Sequence, residues 1–248
     1  MPGFVRSIIR ALLIHVVGRL LSFILFDVTV EGKENLPSSH HRPLIVIANH
    51  FSWFDAPILA IHLPFPPAFL VATESLNRWW VRGFVNLFDG IPIWRGQVDR
   101  NALRLSLDAL KRGLTLGIFP EGGMNPDNRE RIARGEQIPE IRGHASRRSG
   151  ALVRGRSGSA LLAVQSQAYI LPVAIMGSEH ILDNLPRFRR TPIKFRIGPV
   201  FGPLQLDEGI RGPDRRAQLD RLTDEMMIQI AALFPPERRG PYVDLCVD

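Results

Sequence analysis

An α/β fold on a mostly parallel central sheet, flanked by helices and preceded by an interfacial helix, is what this sequence predicts. Three observations predict it. Short uninterrupted apolar runs such as Leu44-Ile45-Val46-Ile47-Ala48 read as strands buried on both faces, since a strand covered by helices needs no polar side. Between those runs lie segments with apolar residues three and four apart, the repeat of an amphipathic helix. Runs and helical segments then alternate along most of the chain, the pattern of strands joined by crossover helices.

Taken in order, residues 28–31 alternate as a short strand and the polar stretch 32–43 is a loop before the run at 44–48. Pro57 suits a first helical turn, where its missing N–H has no intrahelical partner to lose, and it leads into Ile58-Leu59-Ala60-Ile61. Residues 68–72 form the next strand. The segment 74–88 is helical, with Trp79, Trp80, Phe84 and Leu87 on its apolar positions, and 91–94 is a short strand. Leu103, Leu107 and Leu110 share one helical face, which Gly113 ends. Strands at 114–119, 169–175 and 193–197 and a helix at 157–167 complete the alternation. Leu219, Leu222, Met226, Ile230 and Leu233 then mark a final amphipathic helix. No internal repeat is present.

The N-terminus behaves differently. Residues 4–26 are mostly Leu, Ile, Val and Phe, yet Arg6, Arg10 and Arg19 interrupt them. No charge-free run reaches the roughly twenty residues a membrane span requires. Residues 1–26 are therefore read as an anchoring helix in the membrane interface, its arginines reaching out to headgroups. A buried core helix and a cleaved signal peptide are the competing readings, and no small-x-small cleavage site follows Phe26 to favour the second.

The body, 27–248, carries one segment that breaks the rhythm. Residues 124–156 hold eight arginines against four carboxylates, with little apolar periodicity. A loop of that length is either a solvated excursion or a functional contact, here with phosphate or lipid headgroups. Cys246 is the single cysteine, which excludes an internal disulfide framework and fits a reducing compartment. A net charge of +7 calls for an anionic partner, either nucleic acid or an anionic membrane. No reading helix or aromatic–basic sheet motif is recognisable, and nucleic acid would leave the greasy N-terminus unexplained, so the membrane is expected and nucleic acid is not. Neither a His-x3-His pair nor a cysteine cluster is present to imply a metal.

Two segments carry chemistry. Asn49-His50-Phe51-Ser52-Trp53-Phe54-Asp55 follows the apolar run 44–48, and Phe119-Pro120-Glu121-Gly122 follows the run 114–119. A neutral imidazole takes a proton from a hydroxyl, and a nearby carboxylate fixes its tautomer and stabilises the imidazolium that forms. Both segments are placed at the ends of buried strands, where open α/β sheets put their sites.

Read with Gly90-Ile91-Pro92-Ile93-Trp94-Arg95 and Ile170-Leu171-Pro172-Val173-Ala174-Ile175, these blocks resemble the glycerolipid acyltransferases, the lysophosphatidic acid acyltransferases among them. The resemblance runs from about residue 27 to residue 242, including the closing Phe234-Pro235-Pro236-Glu237-Arg238-Arg239-Gly240. It implies an enzyme that moves a fatty acyl chain from acyl-CoA or acyl-carrier protein to 1-acyl-glycerol-3-phosphate, giving phosphatidic acid. Another lysolipid or an amino-acid lipid is the alternative acceptor. The expected setting is the cytoplasmic face of the cell membrane, and no cofactor is implied beyond the acyl donor. His50 is expected to be the general base and Asp55 its partner. Arg95 is expected to bind the acceptor's phosphate, with Glu121 and Gly122 shaping the acceptor site. Asn49 holds either the turn or an acceptor oxygen. One departure stands out: Gly123-Met124 occupies the place where the family commonly has Thr-Arg. Either Arg129 or Arg131 then supplies the second phosphate contact, or the acceptor is not a simple glycerol phosphate.

Overall fold

The computed structural model describes residues 12–37, 43–77, 79–93, 99–122 and 149–246. A π-helical turn, Leu13–Gly18, leads into α1, Arg19–Leu25, and then directly into β1, Phe26–Glu31. β2 (Leu44–Ala48), α2 (Asp55–His62), β3 (Ala68–Ala72), α3 (Trp79–Leu87), β4 (Ile91–Ile93), α4 (Arg100–Lys111) and β5 (Leu116–Ile118) follow. After 149 come α5 (Ser157–Ser166), β6 (Tyr169–Met176), β7 (Thr191–Ile197) and α6 (Gly212–Ala231). The expected strands and helices are all found. The differences lie at their ends: β1 begins two residues early, and α6 gains about two turns before its first apolar marker.

The seven strands form one sheet in the order β1-β7-β6-β2-β5-β3-β4. β6, β2, β5, β3 and β4 are parallel, whereas β6 and β7 pair antiparallel and β1 runs with β7. Alternation along each strand divides the core in two. Ile45, Ile47, Ile170 and Ala174 face α4, α5 and α6, while Val46, Ala48, Leu171 and Val173 face α1 and α2. Every residue of β2 is buried, as expected of a strand covered on both faces.

Gly117 on β5 is needed for close packing. A Cβ there would stand 2.4 Å from the ring of Phe69, which is itself buried.

The N-terminal helical segment is turned inside out. Its inward side presents Ile14, Gly18 and Ser22 to the body, with Gly18 against Ile61 and Ser22 Oγ 2.9 Å from His62 Nε2. Its outward side exposes Leu13, Val17, Leu20, Leu21, Phe23 and Ile24. A helix packed on a soluble body ordinarily turns its apolar side inward, and here that order is reversed. Among the described residues no helix is long and apolar enough to cross a membrane. Arg6 and Arg10 lie outside the described residues.

Candidate active site

β2 ends at Ala48 at the centre of the sheet, and the next residue extends its ladder with a side chain. Asn49 Nδ2 donates to Ile175 O at 2.8 Å and Asn49 Oδ1 accepts from Ile175 N at 2.7 Å. The buried amide thus ties the start of the 49–55 segment to the end of β6.

The following residues wrap around one carboxylate. Asp55, fully buried at the start of α2, accepts through Oδ2 from Phe51 N at 2.7 Å and from Ser52 N at 2.7 Å. The same oxygen meets His50 Nδ1 at 3.1 Å. A carboxylate offers only acceptors, so Nδ1 carries the proton and Nε2 is the basic nitrogen. The helix N-terminus further favours negative charge at Asp55. His50 keeps 15 % of its side chain accessible, enough for a substrate hydroxyl to reach it.

β5 lies beside β2, so its end delivers the second segment to the same edge. Phe119 stacks on the His50 imidazole, with centroids 4.1 Å apart and planes 14° from parallel, and Phe69 stacks on Phe119 in turn at 5.9 Å. This pile fixes the ring plane that the Asp55 bond alone would leave free to swing. Glu121, fully buried, closes the turn, and Gly122 N donates to Phe119 O at 2.9 Å. Gly122 adopts φ +69° and has the Arg156 side chain against it, so a Cβ there would lie 2.7 Å from Arg156 Cδ. The close approach expected for a ligand is taken, in part, by the protein's own arginine.

His50, Asp55, Asn49, Glu121 and Gly122 therefore converge at the ends of three adjacent strands, β6, β2 and β5. β4 also ends at this edge, two residues before Arg95. Arg95, Arg129 and Arg131 lie outside the described residues, as does most of the 124–156 segment. Its last residues, from 149, belong to the packed body: Leu152 is buried and Arg156 N donates to Pro120 O at 2.9 Å.

Sequence reasoning missed the support beneath the dyad. Arg238, itself only partly buried, forms an ion pair with the buried Glu179 and donates through Nε to Gly150 O at 2.7 Å. Its guanidinium lies 5.6 Å from the ring of Phe51, the residue next to His50. Gly177 N donates to the other Glu179 oxygen at 2.9 Å. The Phe-Pro-Pro-Glu-Arg signal was visible in sequence; its partner Glu179, 59 residues earlier, was not.

A separate cleft of about 700 Å³ opens between α1 and β1, lined by Ser22, His62 and Arg190 among others, and neither His50 nor Asp55 borders it. Among the described residues no group of His, Cys, Asp and Glu is arranged to hold a metal.

Comparison with known proteins gives the same direction as the geometry. The chain is similar to the 1-acyl-sn-glycerol-3-phosphate acyltransferase of Bacillus subtilis, 27% identical over 96 residues, covering 38% of this chain and 47% of that one. It is similar to the lyso-ornithine lipid O-acyltransferase of Pseudomonas aeruginosa, 34% identical over 107 residues, covering 42% and 38%. The chain thus spans less than half the length of these two curated relatives. Among solved structures it resembles the 1-acyl-sn-glycerophosphate (LPA) acyltransferase PlsC of Thermotoga maritima, with a TM-score of 0.57, 25% identity, and 89% of this chain and 80% of that chain covered. Residues 27–176, which hold the His50–Asp55 pair and the Phe119–Gly122 turn, match the family model described as Acyltransferase, and the chain belongs to that family.

Proposed function

We propose that this protein is a membrane-surface O-acyltransferase acting on lysolipids, with 1-acyl-glycerol-3-phosphate as preferred acceptor and phosphatidic acid as product. The observation that carries the reading is the His50–Asp55 pair, with Nδ1 committed to the carboxylate at 3.1 Å and Nε2 left as the base. The acceptor hydroxyl gives its proton to Nε2 as its oxygen bonds to the carbonyl carbon of an acyl thioester. The tetrahedral intermediate then collapses, the C–S bond breaks, and the imidazolium returns the proton to the departing thiol. The thioester of acyl-CoA or acyl-carrier protein is already activated, so neither a nucleophilic side chain nor a cofactor is called for. Asp55 stabilises the transient imidazolium, and the Phe119 stack holds the ring in the plane that reaches the hydroxyl.

Glu121 and Gly122 form the acceptor side of the pocket, with Arg95 and one of Arg129 or Arg131 on the phosphate. A guanidinium suits that task because its planar fork donates two parallel hydrogen bonds. The apolar outer face of α1 supports peripheral attachment, and the cytoplasmic leaflet, where acyl-CoA and carrier protein are found, is the natural side. Phe26, at the end of that helical segment, packs edge-on against Phe54 at 6.3 Å, immediately before Asp55. Lipid held along α1 is therefore close to the base.

A second acceptor, a lyso-ornithine lipid, is favoured by two observations: the similarity to the Pseudomonas enzyme and Met124 at the expected arginine position. Assay of purified protein with acyl-CoA against both acceptors separates the readings. Preferred turnover of 1-acyl-glycerol-3-phosphate supports the proposal; preference for the amino-acid lipid moves the acceptor assignment, and no transfer to any lysolipid overturns it.

A further inference from the structure

The connection between β6 and β7 holds its apolar side chains outward on a rigid frame. Leu182, Leu185 and Phe188 are exposed, Phe188 completely at 100 %. The frame itself is well tied. Ile181 is buried beneath it, Phe188 N donates to Leu185 O at 3.2 Å, Arg189 N donates to Asn184 O at 3.2 Å, and Asn184 Nδ2 donates to Thr191 Oγ1 at 3.2 Å. Phe188 also stands at φ +52°, a left-handed conformation that a bulky aromatic rarely adopts. A costly backbone that presents a fully exposed aromatic points to use rather than accident.

Charge and continuity identify what meets it. Arg187, Arg189 and Arg190 flank Phe188, and Asp183 is the exposed carboxylate of the turn. Arg187 Nη1 donates to Asp183 O at 2.6 Å, which holds the guanidinium beside the apolar tip. Arg190 ties the turn to the N-terminal segment. Its Nε and Nη2 donate to Phe26 O at 3.1 and 2.6 Å, and its guanidinium lies 5.1 Å from the ring of Phe23, itself 70 % exposed. Phe188 and the outward stripe of α1 are therefore parts of one connected surface, apolar at its points and cationic between them. That is the chemistry of an anionic phospholipid bilayer: rings enter the acyl boundary and arginines stay with the phosphates.

We infer that the 181–190 turn is a second membrane-docking element, in which Phe188 inserts and Arg187 and Arg189 select anionic lipid. The inference rests on the membrane-surface reading above and adds a contact on the side of the site opposite the β5 turn. With two separated contacts, the sheet edge carrying His50 is held at a fixed angle to the lipid rather than swinging on α1 alone.

The test uses the purified full chain with vesicles of phosphatidylcholine, with and without about a third phosphatidylglycerol, and reads partition by sedimentation. Phe188→Ser is expected to weaken partition about tenfold on both vesicles, the consequence of losing one buried aromatic. Arg187→Gln and Arg189→Gln are each expected to weaken it about fivefold on the anionic vesicles, with little effect on the neutral ones. All three variants should turn over a short-chain acceptor dissolved as monomer at the wild-type rate. Unchanged partition of the variants on anionic vesicles overturns the inference, as does a parallel loss of turnover on the dissolved acceptor, which would place the turn in the site instead. Failure of the wild-type chain to acylate the dissolved acceptor would count against the acyltransferase reading, while the partition data would still decide the docking element.

Discussion

Replacing Asp55 by Asn separates the charge of the site from its geometry. Oδ2 accepts three hydrogen bonds, from Phe51 N, Ser52 N and His50 Nδ1, whereas Oδ1 accepts none among the described residues. The two backbone donors at 2.7 Å therefore choose the orientation of the new side chain: its carbonyl oxygen takes the Oδ2 place and its amino group the Oδ1 place. The turn and the His50 tautomer survive, and the negative charge does not. An unpartnered buried amino group costs about 1–3 kcal/mol, so the melting temperature falls while the fold persists. For catalysis the relevant quantity is the attraction between Asp55 and the imidazolium. At 3.1 Å and an effective dielectric constant near 20 it is about 5 kcal/mol for full charges. The transition state has developed roughly half of that charge, so the loss is about 3 kcal/mol, near a hundredfold in kcat. KM for the lysolipid should change little, because the neutral ground state never felt the attraction. Steady-state acyl-CoA-dependent transfer, with thermal melting alongside, measures both. A kcat within about fivefold of wild type would refute the reasoning and reduce Asp55 to a helix-start residue.

Other expectations follow from the same structure. Gly117→Ala pushes a methyl into the buried Phe69 ring, so it should destabilise the fold by about 1–3 kcal/mol and lower kcat through the Phe69–Phe119–His50 stack; normal activity would show that the stack does not orient the base. Asn49→Asp sets a carboxylate oxygen against Ile175 O, and should cost about 1–3 kcal/mol of stability, read by chemical denaturation. Arg95→Ala should raise KM about tenfold or more for phosphate-bearing acceptors and little for zwitterionic ones, compared side by side in the acceptor panel. Burial, with Arg19 and Lys33 nearby, lowers the pKa of His62 from its ordinary value of 6.5. The unfolded chain then binds the extra proton more readily, so this contribution to stability is full above about pH 6.5 and is lost as pH falls below it. His62→Gln should flatten the acid limb of the stability profile relative to wild type; identical profiles would show that His62 does not contribute there.

Much of this was legible in the sequence because local rules and tertiary use agreed. β2 is buried on both sides, so its apolar run is continuous, and the His50 segment that follows carries its partner Asp55 within five residues. Pro57 lies inside the first turn of α2, and Gly113 with φ +80° follows α4, as their backbone preferences require. What escaped has physical causes. The direction of β1 and β7 is set by pairing across 165 residues, of which a single strand's pattern holds no trace. The Arg238–Glu179 pair beside Phe51 joins residues 59 apart in sequence, and neither differs from a surface charge until the fold brings the two together. The N-terminal helix was harder to read for the opposite reason. Its leucines, the residues that ordinarily turn to a core, face out, while Ser22 points inward to His62.

The central claim is that His50 is the base for acyl transfer, and the rate of transfer catalysed by His50→Ala tests it most directly. With saturating acyl-CoA and 1-acyl-glycerol-3-phosphate, wild-type protein should form phosphatidic acid by mass spectrometry. The variant should fold, since His50 lies at the surface end of a strand, and should be slower by about 10²–10⁴-fold, the usual contribution of a positioned general base. Phosphatidic acid formed by His50→Ala at close to the wild-type rate would contradict the account.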